Sequence, residues 1–300
     1  MSAVPVAVLP PGQADPQRSL WRDAFRRFRV HPAARIGVLL IGSLVLLALA
    51  ADVLAESDPN KTYLIRERIL QPPLQNGHLL GTDDLGRDVF TRVMYGARTS
   101  LRVGVVAVGF AVTGGALIGF TAGFFGRWWD QVAMRLMDIL LAFPTILLAI
   151  AIVALRGPGI FNTMLAVGIV ALPAYARITR ASAISLREQE FVSAARSVGV
   201  PEWRILLRHI VPNALSPLIV QSTLGVAAAI LNAAALGFLG LGAQPPDVEW
   251  GQMLVDSIRY LFQGSWWVLM FPGVAIMLTV IGFNLLGDAL RDSLDVRTRS

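Results

Sequence analysis

Six stretches of the chain contain no charged side chain: residues 36–51, 103–126, 139–155, 157–176, 209–246 and 260–287. They run for 16, 24, 17, 20, 38 and 28 residues. A helix needs about 20 apolar residues to cross the ~30 Å hydrocarbon core of a bilayer, with roughly 17 at the lower end. Each stretch predicts one span, after adjustment of two. The longest would measure about 57 Å as a single helix at 1.5 Å per residue. Pro212 and Pro217 interrupt its start, and Gly240, Gly242 and the Pro245-Pro246 pair interrupt its end, which leaves one span over 218–239. The 16-residue stretch is short, so flanking Ala33, Ala34, Val53 and Leu54 must help to make a first span. Ala48-Leu49-Ala50 offers a signal-peptidase-like site there, but secretory signals total only about 15–30 residues. An uncleaved anchor is expected.

Two of the connections carry helical periodicity. In 81–102, Thr82 or Asp83 can cap a helix, and Asp83 and Asp84 suit its positive end. Val89, Phe90, Val93, Met94, Ala97 and Leu101 then form an apolar face, with Asp88, Arg92, Arg98 and Arg102 opposite. That pattern predicts an amphipathic helix on the outer membrane interface before span two, serving as an anchor or as part of a site. In 180–213, helix formers extend from Ser182 to Val198, and Gly199 stops them. Pro201 suits the first position of a second short helix, with Glu202 at its start, Arg204 and Arg208 at its end and Pro212 closing it. This helix–turn–helix knob is either a surface hairpin or a docking element. The small pair Ala194-Ala195 would allow close approach of a neighbour.

Composition confirms the setting. Hydrophobic residues make up 55% and charged residues 15%, against about 25% charged in ordinary globular chains. Soluble domains are excluded. Arginine placement sets the orientation. The first 35 residues hold six arginines against two acids, and residues 177–208 hold six against three. The seven basic residues of 52–102 are balanced by seven acids, and the remaining external connections are poor in charge. Positive charge in short connections marks the cytoplasmic side, so both termini are predicted inside. The net charge of +6 then reports orientation and contact with anionic lipid heads, not nucleic-acid binding. The absence of cysteine removes thiol chemistry and disulfides.

Candidate chemistry within the chain is sparse. His31, His78 and His209 lie in three separate connections, without metal-site spacing. Lys61-Thr62 lacks the glycines of a phosphate-binding loop, since Ala55 and Asn60 stand where they would be. Ionisable groups within spans, the usual marks of proton or ion coupling, are few. Asp138 is expected to pair with Arg135 on one helix face, while Arg177 and Asp288 fall at span ends. Asn162, Asn232 and Asn284 could line a path or join helices. Pro144, Pro173 and Pro272 lie within spans, where they permit bends or simply pack. A stand-alone ion-coupled carrier is a competing expectation.

The knob carries a more specific signal. Ser193-Ala194-Ala195, three residues, Gly199, nine residues, His209-Ile210-Val211-Pro212 resembles the cytoplasmic loop of ATP-binding-cassette (ABC) importer permeases. That loop follows a Glu-Ala-Ala, Gly, Ile-x-Leu-Pro pattern; Ser193, His209 and Val211 depart from it, while the spacing is kept. The strings LLGTDDLGRDVFTRVMYGARTSL (79–101), LGFLGLGAQPPDVEWGQML (236–254) and WRDAFRRFRVHPAARIG (21–37) resemble the dipeptide/oligopeptide/nickel branch, in its second permease subunit.

The resemblance implies an all-α membrane protein with six transmembrane helices in the type I ABC importer permease fold, an outer interfacial helix and a cytoplasmic coupling-helix hairpin. It implies a cytoplasmic segment 1–35, a first span 36–54, an external loop 55–102, a permease domain 103–287 with coupling loop 177–213, and a tail 288–300. It assigns ATPase coupling to Ala194, Ala195, Gly199, Pro201, Glu202, Trp203, Arg204 and Pro212. An external motif falls on Thr82, Asp83, Gly86, Arg87 and Asp88. The implied partners are a homologous permease in a heterodimer, two ABC ATPase subunits, an extracytoplasmic substrate-binding protein and the lipid of the bacterial cytoplasmic (inner) membrane. ATP and Mg would be held by the ATPases and no cofactor by this chain. The implied cargo is a di- or oligopeptide, with a nickel chelate as alternative.

Overall fold

The computed structural model describes residues 20–55, 58–63 and 68–294. The first 19 residues of the basic segment and the last six of the tail therefore lie outside the described residues. Helix α1 (Leu20–Val30) meets α2 (Pro32–Leu49) at His31, an extended residue; Pro32 then starts α2 where a missing N–H costs nothing. A short α3 (Ala51–Leu54) ends this first hydrophobic segment. The long α4 (Val89–Phe125) leads to α5 (Arg127–Leu141), α6 (Thr145–Arg156) and α7 (Ile160–Arg187). The knob contains α8 (Glu190–Ser197), α9 (Glu202–Ile205), a π-helical turn (Leu206–Ile210) and α10 (Val211–Asn213). The chain ends with α11 (Leu215–Phe238), α12 (Trp250–Leu261) and α13 (Trp267–Leu294).

Among the described residues, five helices are long and apolar enough to cross a membrane: α2, α4, α7, α11 and α13. The bent pair α5–α6 makes a sixth if counted as one span. The connections at 58–63, 68–88, 157–159 and 239–266 gather at one end of the bundle, here the loop end. The knob and the α1–α2 corner lie at the other, the knob end.

Helix α4 is the spine, packed along α7 through glycines. A Cβ on Gly115 would lie 2.6 Å from the Tyr175 side chain, and one on Gly119 would collide with the Ala176 carbonyl. Gly123 approaches Arg180 in the same way. Glycines four apart strip one helix face, so the two backbones meet directly, and close packing replaces the hydrophobic drive that lipid does not supply. This repeat is visible in the sequence, and the charge-free windows conceal it. Helices α2 and α13 form a second seam, where a Cβ on Gly37 would sit 2.9 Å from the Gly282 carbonyl oxygen. The main core joins α4, α6, α7 and α11 through Val103, Ala107, Val153, Val167, Ile230 and Leu236.

The structure corrects several expectations. No separate interfacial helix forms before span two: Val89–Phe125 is one helix of 37 residues, about 55 Å long at 1.5 Å per residue. The amphipathic segment is its loop-end extension. The polar face is satisfied by protein rather than lipid heads, through Arg92 on Asp83 and the Pro59 carbonyl and Arg98 on Asp52. The helix cap lies five or six residues after the expected ones, at Asp88, whose carboxylate accepts from the Thr91 N–H at 2.8 Å. Span three is not straight. Pro144 lacks the N–H that would continue the ladder, and α5 and α6 meet at 92°. Asp138 pairs with Arg177 at 2.6 Å, rather than with Arg135, because α7 runs past the expected boundary at 176 and brings Arg177 beside α5. The last span begins at Trp267, later than the charge-free window.

Candidate functional site

Two polar constellations occupy opposite ends of the bundle. At the knob end, α7 continues to Arg187, and Gln189 turns the chain through an extended conformation into α8. The single helix expected over 182–198 is thus divided between α7 and α8. After α8, Gly199 takes a φ of +77°, which L side chains rarely adopt. Its N–H reaches the Arg196 carbonyl at 3.0 Å, and the Val200 N–H reaches that of Ala195 at 3.1 Å. Together these bonds form a Schellman cap, completed by apolar contact between residues in the positions of Val200 and Ala195. Pro201 is extended and caps α9 from outside, one position earlier than expected. Arg196 and Glu202 close the turn through two bonds of 2.8 and 3.1 Å, and the Glu202 carboxylate raises the Arg196 pKa.

The knob has a buried base and an exposed apolar crown. Val192, Ile205, Leu206 and Ile210 pack against Phe120 and Phe124 of α4 and Ala183 of α7, with Ala195 and Val200 partly buried beside them. Ala194, Gly199, Pro201, Glu202, Trp203, Arg204 and Pro212 face outward. Val198 is 78% exposed, Trp203 57% and Leu207 58%. Of the small pair, only Ala194 is therefore free to meet a neighbour. Pro212 does not close a helix. Its missing N–H falls where the ladder widens into the π turn, and the chain continues helically into α10.

At the loop end, the external motif is a clasp. Thr82 and Asp83 are buried. The Thr82 hydroxyl donates to the Arg68 carbonyl at 2.7 Å and accepts from the Gln71 N–H at 2.9 Å, while the Trp267 indole donates to the Thr82 carbonyl at 3.0 Å. Asp83 accepts from the Leu85 and Arg87 N–H groups at 2.9 and 2.8 Å and from the Arg87 guanidinium at 2.6 Å. Arg92 lies 3.6 Å from the same carboxylate oxygen that the Arg87 guanidinium contacts. Gly86, at φ +69°, passes so near Tyr63 that a Cβ would sit 2.5 Å from its carbonyl oxygen. Asp88 divides its oxygens between the α4 cap and His78, at 2.9 Å. Thr82, Asp83 and Asp88 thus fasten the 68–88 loop to α13 and α4, while Gly86 and Arg87 hold the loop itself together.

A further group at this end escaped the residue-by-residue reading. Glu249 is 3% exposed and caps α12, accepting from the Gln252 N–H at 3.0 Å and the Ser100 hydroxyl at 3.1 Å. Burial raises its pKa, against the lowering by the Gly251 and Gln252 amides and Ser100. Next to it, Trp250 is fully buried, its indole donating to the Val93 carbonyl at 3.0 Å and its ring filling the space beside Gly96. The Glu249-x-x-Gln252 spacing ahead of an apolar run was the available cue. Among the described residues, no group of acids and histidines could hold a metal ion.

A multi-span bundle with a rigid, apolar-crowned knob at one end and a clasped loop assembly at the other defines a membrane permease class. The chain belongs to the family described as binding-protein-dependent transport system inner membrane component, which matches residues 115–300. Residues 19–73 match the N-terminal TM domain of oligopeptide transport permease C. The dipeptide transport system permease protein DppC of Alkalihalophilus pseudofirmus is 50% identical over 94% of this chain and 91% of that protein. The di/tripeptide transport system permease protein DppC of Pseudomonas aeruginosa is 44% identical over 95% of this chain and 93% of its own length. The glutathione transport system permease protein GsiD of Escherichia coli is 43% identical over 97% and 95%. The inward-facing MetNI methionine ABC transporter shares the fold, with a TM-score of 0.53 at 18% identity, covering 67% of this chain and 94% of that one. The chain is accordingly a multi-pass inner-membrane permease subunit of an ABC importer. It is non-catalytic, and its family works with ATPase, substrate-binding and second permease partners.

Proposed function

We propose that this chain forms half of a translocation pathway for di- or oligopeptides, in a heterodimer with a homologous permease. Two ATPase subunits sit below the knob, and a substrate-binding protein delivers cargo to the loop end. Both termini are cytoplasmic. ATP and Mg belong to the ATPases, and this chain holds no cofactor. Lys61 serves no nucleotide; its ammonium lies 5.3 Å from the Tyr63 ring centroid.

The observation that carries the reading is the knob. Its base is buried in the bundle while Val198, Trp203 and Leu207 stand exposed, the form expected of an anchor that enters a partner's cleft. Because the base packs on α4 and α7, a displacement of the crown is transmitted to the two most intimately packed spans. When the ATPases close on ATP, the knobs of the two permeases approach each other and the bundles rock from inward-open to outward-open. Names of relatives that transport dipeptides, tripeptides and glutathione support a peptide cargo over a nickel chelate.

Reconstitution tests this. Proteoliposomes holding the chain with its permease partner, ATPases and binding protein should import a labelled dipeptide with ATP inside, and none without ATP. Uptake by this chain alone under a proton or sodium gradient would establish a secondary carrier and overturn the proposal.

A further inference from the structure

The loop end contains a cavity of about 750 Å³ that neither the clasp nor the cap of α12 uses. Four segments wall it: Ala55 with residues 58–60, one stripe of α4, the start of α7 at Ile160, and the 246–248 loop. The α4 stripe consists of Tyr95, Arg98, Thr99 and Arg102, at spacings of three, four and seven that place them on one helix face. Across from it stand Asp247 and Asp58. The walls are tied together, since the Asn60 amide donates to the Pro246 carbonyl at 2.6 Å.

The charges fall into two kinds. Arg98 is committed to the scaffold, bound to Asp52 at 3.1 Å and to the Ala48 carbonyl at 3.2 Å. Asp58 uses one oxygen on the Asn60 N–H of its own turn, at 2.9 Å. Arg102 and Asp247, by contrast, make no side-chain hydrogen bond or ion pair among the described residues. Arg102 is exposed and is the last charge on α4 before the uncharged stretch 103–126. An exposed cation and an exposed anion lining one space, within the range of about 300–1,000 Å³ that small-ligand sites occupy, suit a ligand carrying one charge of each sign.

We infer that this cavity is a receiving site for the peptide's termini, with Arg102 taking the carboxylate and Asp247 the ammonium group. The inference rests on the peptide-import reading above and names the contacts that reading lacks. An arginine presents a planar fork that a carboxylate meets with two parallel bonds, which makes free termini, common to all peptides, the recognised feature. Side chains would face Tyr95, Thr99, Ile160 and Val248, a mixed wall that tolerates variety.

The test uses the purified complex of both permeases and ATPases without the binding protein. Binding of alanyl-phenylalanine is compared with that of its C-terminal amide and its N-acetyl derivative. The wild-type complex should bind the free dipeptide roughly tenfold more tightly than either blocked form, the difference of one charge-assisted contact. Arg102→Ala should erase the preference over the amide and keep that over the acetyl form; Asp247→Asn should do the reverse. Arg102→Lys should restore part of the first preference. Uniform loss across all three peptides, or preferences unchanged in both variants, overturns the inference. So does a wild-type complex that binds no peptide yet imports it when the binding protein is added. Variants that leave peptide binding intact while weakening stimulation by the binding protein would make the cavity that protein's seat, and also overturn it. Failure of the complete wild-type assembly to import any peptide is a separate result, and it refutes the function itself.

Discussion

Glu249 shows how much a single side chain can settle in this protein. Its carboxyl joins three elements: it caps α12, accepts from Ser100 of α4, and packs 2.5 Å from where a Cβ of Gly237 on α11 would stand. Burial raises its pKa, so the folded state holds the proton more tightly than the unfolded chain. Its contribution to stability is then present below the ordinary carboxylate range and is lost as pH rises through the raised folded value. As pH rises from the ordinary carboxylate range, melting temperatures should fall for the wild type more steeply than for Glu249→Gln. At the upper end the variant should melt higher than the wild type. Equal slopes for the two proteins would refute this. Asp83 is a buried carboxylate of another kind, paired with charge through Arg87 and Arg92. The sequence makes Asp83 a plausible helix cap, and Asp88, five residues on, holds that place instead. Asp and Asn sidechains satisfy turns as readily as helix ends, and choosing between them requires knowing that Gly86 must pass Tyr63.

At the scale of elements, boundaries follow local breakers, and the structure moves them where a partner element intervenes. Gly199 stops α8 as its type and position imply, yet the helix before it is interrupted at Gln189, where no glycine or proline marks the place. The base of the knob explains this: Val192 and Ile205 can both reach Phe120 and Phe124 only if α8 turns away from α7. The crown is then a separable surface. A Cβ at Gly199 would meet nothing within 4 Å, so a substitution there costs about 1–2 kcal/mol of backbone strain and leaves the spans intact. We expect Gly199→Trp and Val198→Glu to insert normally, retain ATPase assembly weakly or not at all, and reduce ATP-driven uptake at least about tenfold, equivalent to ~1.4 kcal/mol of docking. Normal uptake by both would remove the knob from the coupling path.

For the whole molecule, arginine counts predict an orientation, and the fold adds that the two arginine-rich connections share one end. Helix α1 and the end of α13 meet there, with His31 3.3 Å from Asp292, and the knob lies at the same end. Because the chain has no cysteine, single substitutions report sidedness cleanly. A membrane-impermeant maleimide applied to intact cells should label Gln75→Cys on the loop end and spare Ser197→Cys on the knob until the cells are broken. The reverse pattern would invert the topology.

The sequence by itself determined the approximate position of the spans, because crossing hydrocarbon excludes charge over a fixed length and leaves a mark in any chain that does it. It also determined the knob's turn, since a left-handed residue between two short helices calls for glycine. Tertiary structure alone decided that the amphipathic segment is the end of α4, that Asp138 pairs with Arg177, and that Arg102 and Asp247 face one cavity. Those outcomes depend on residues far apart in the chain. Periodicity records which face of a helix is polar, but not whether water, lipid or another helix will satisfy it.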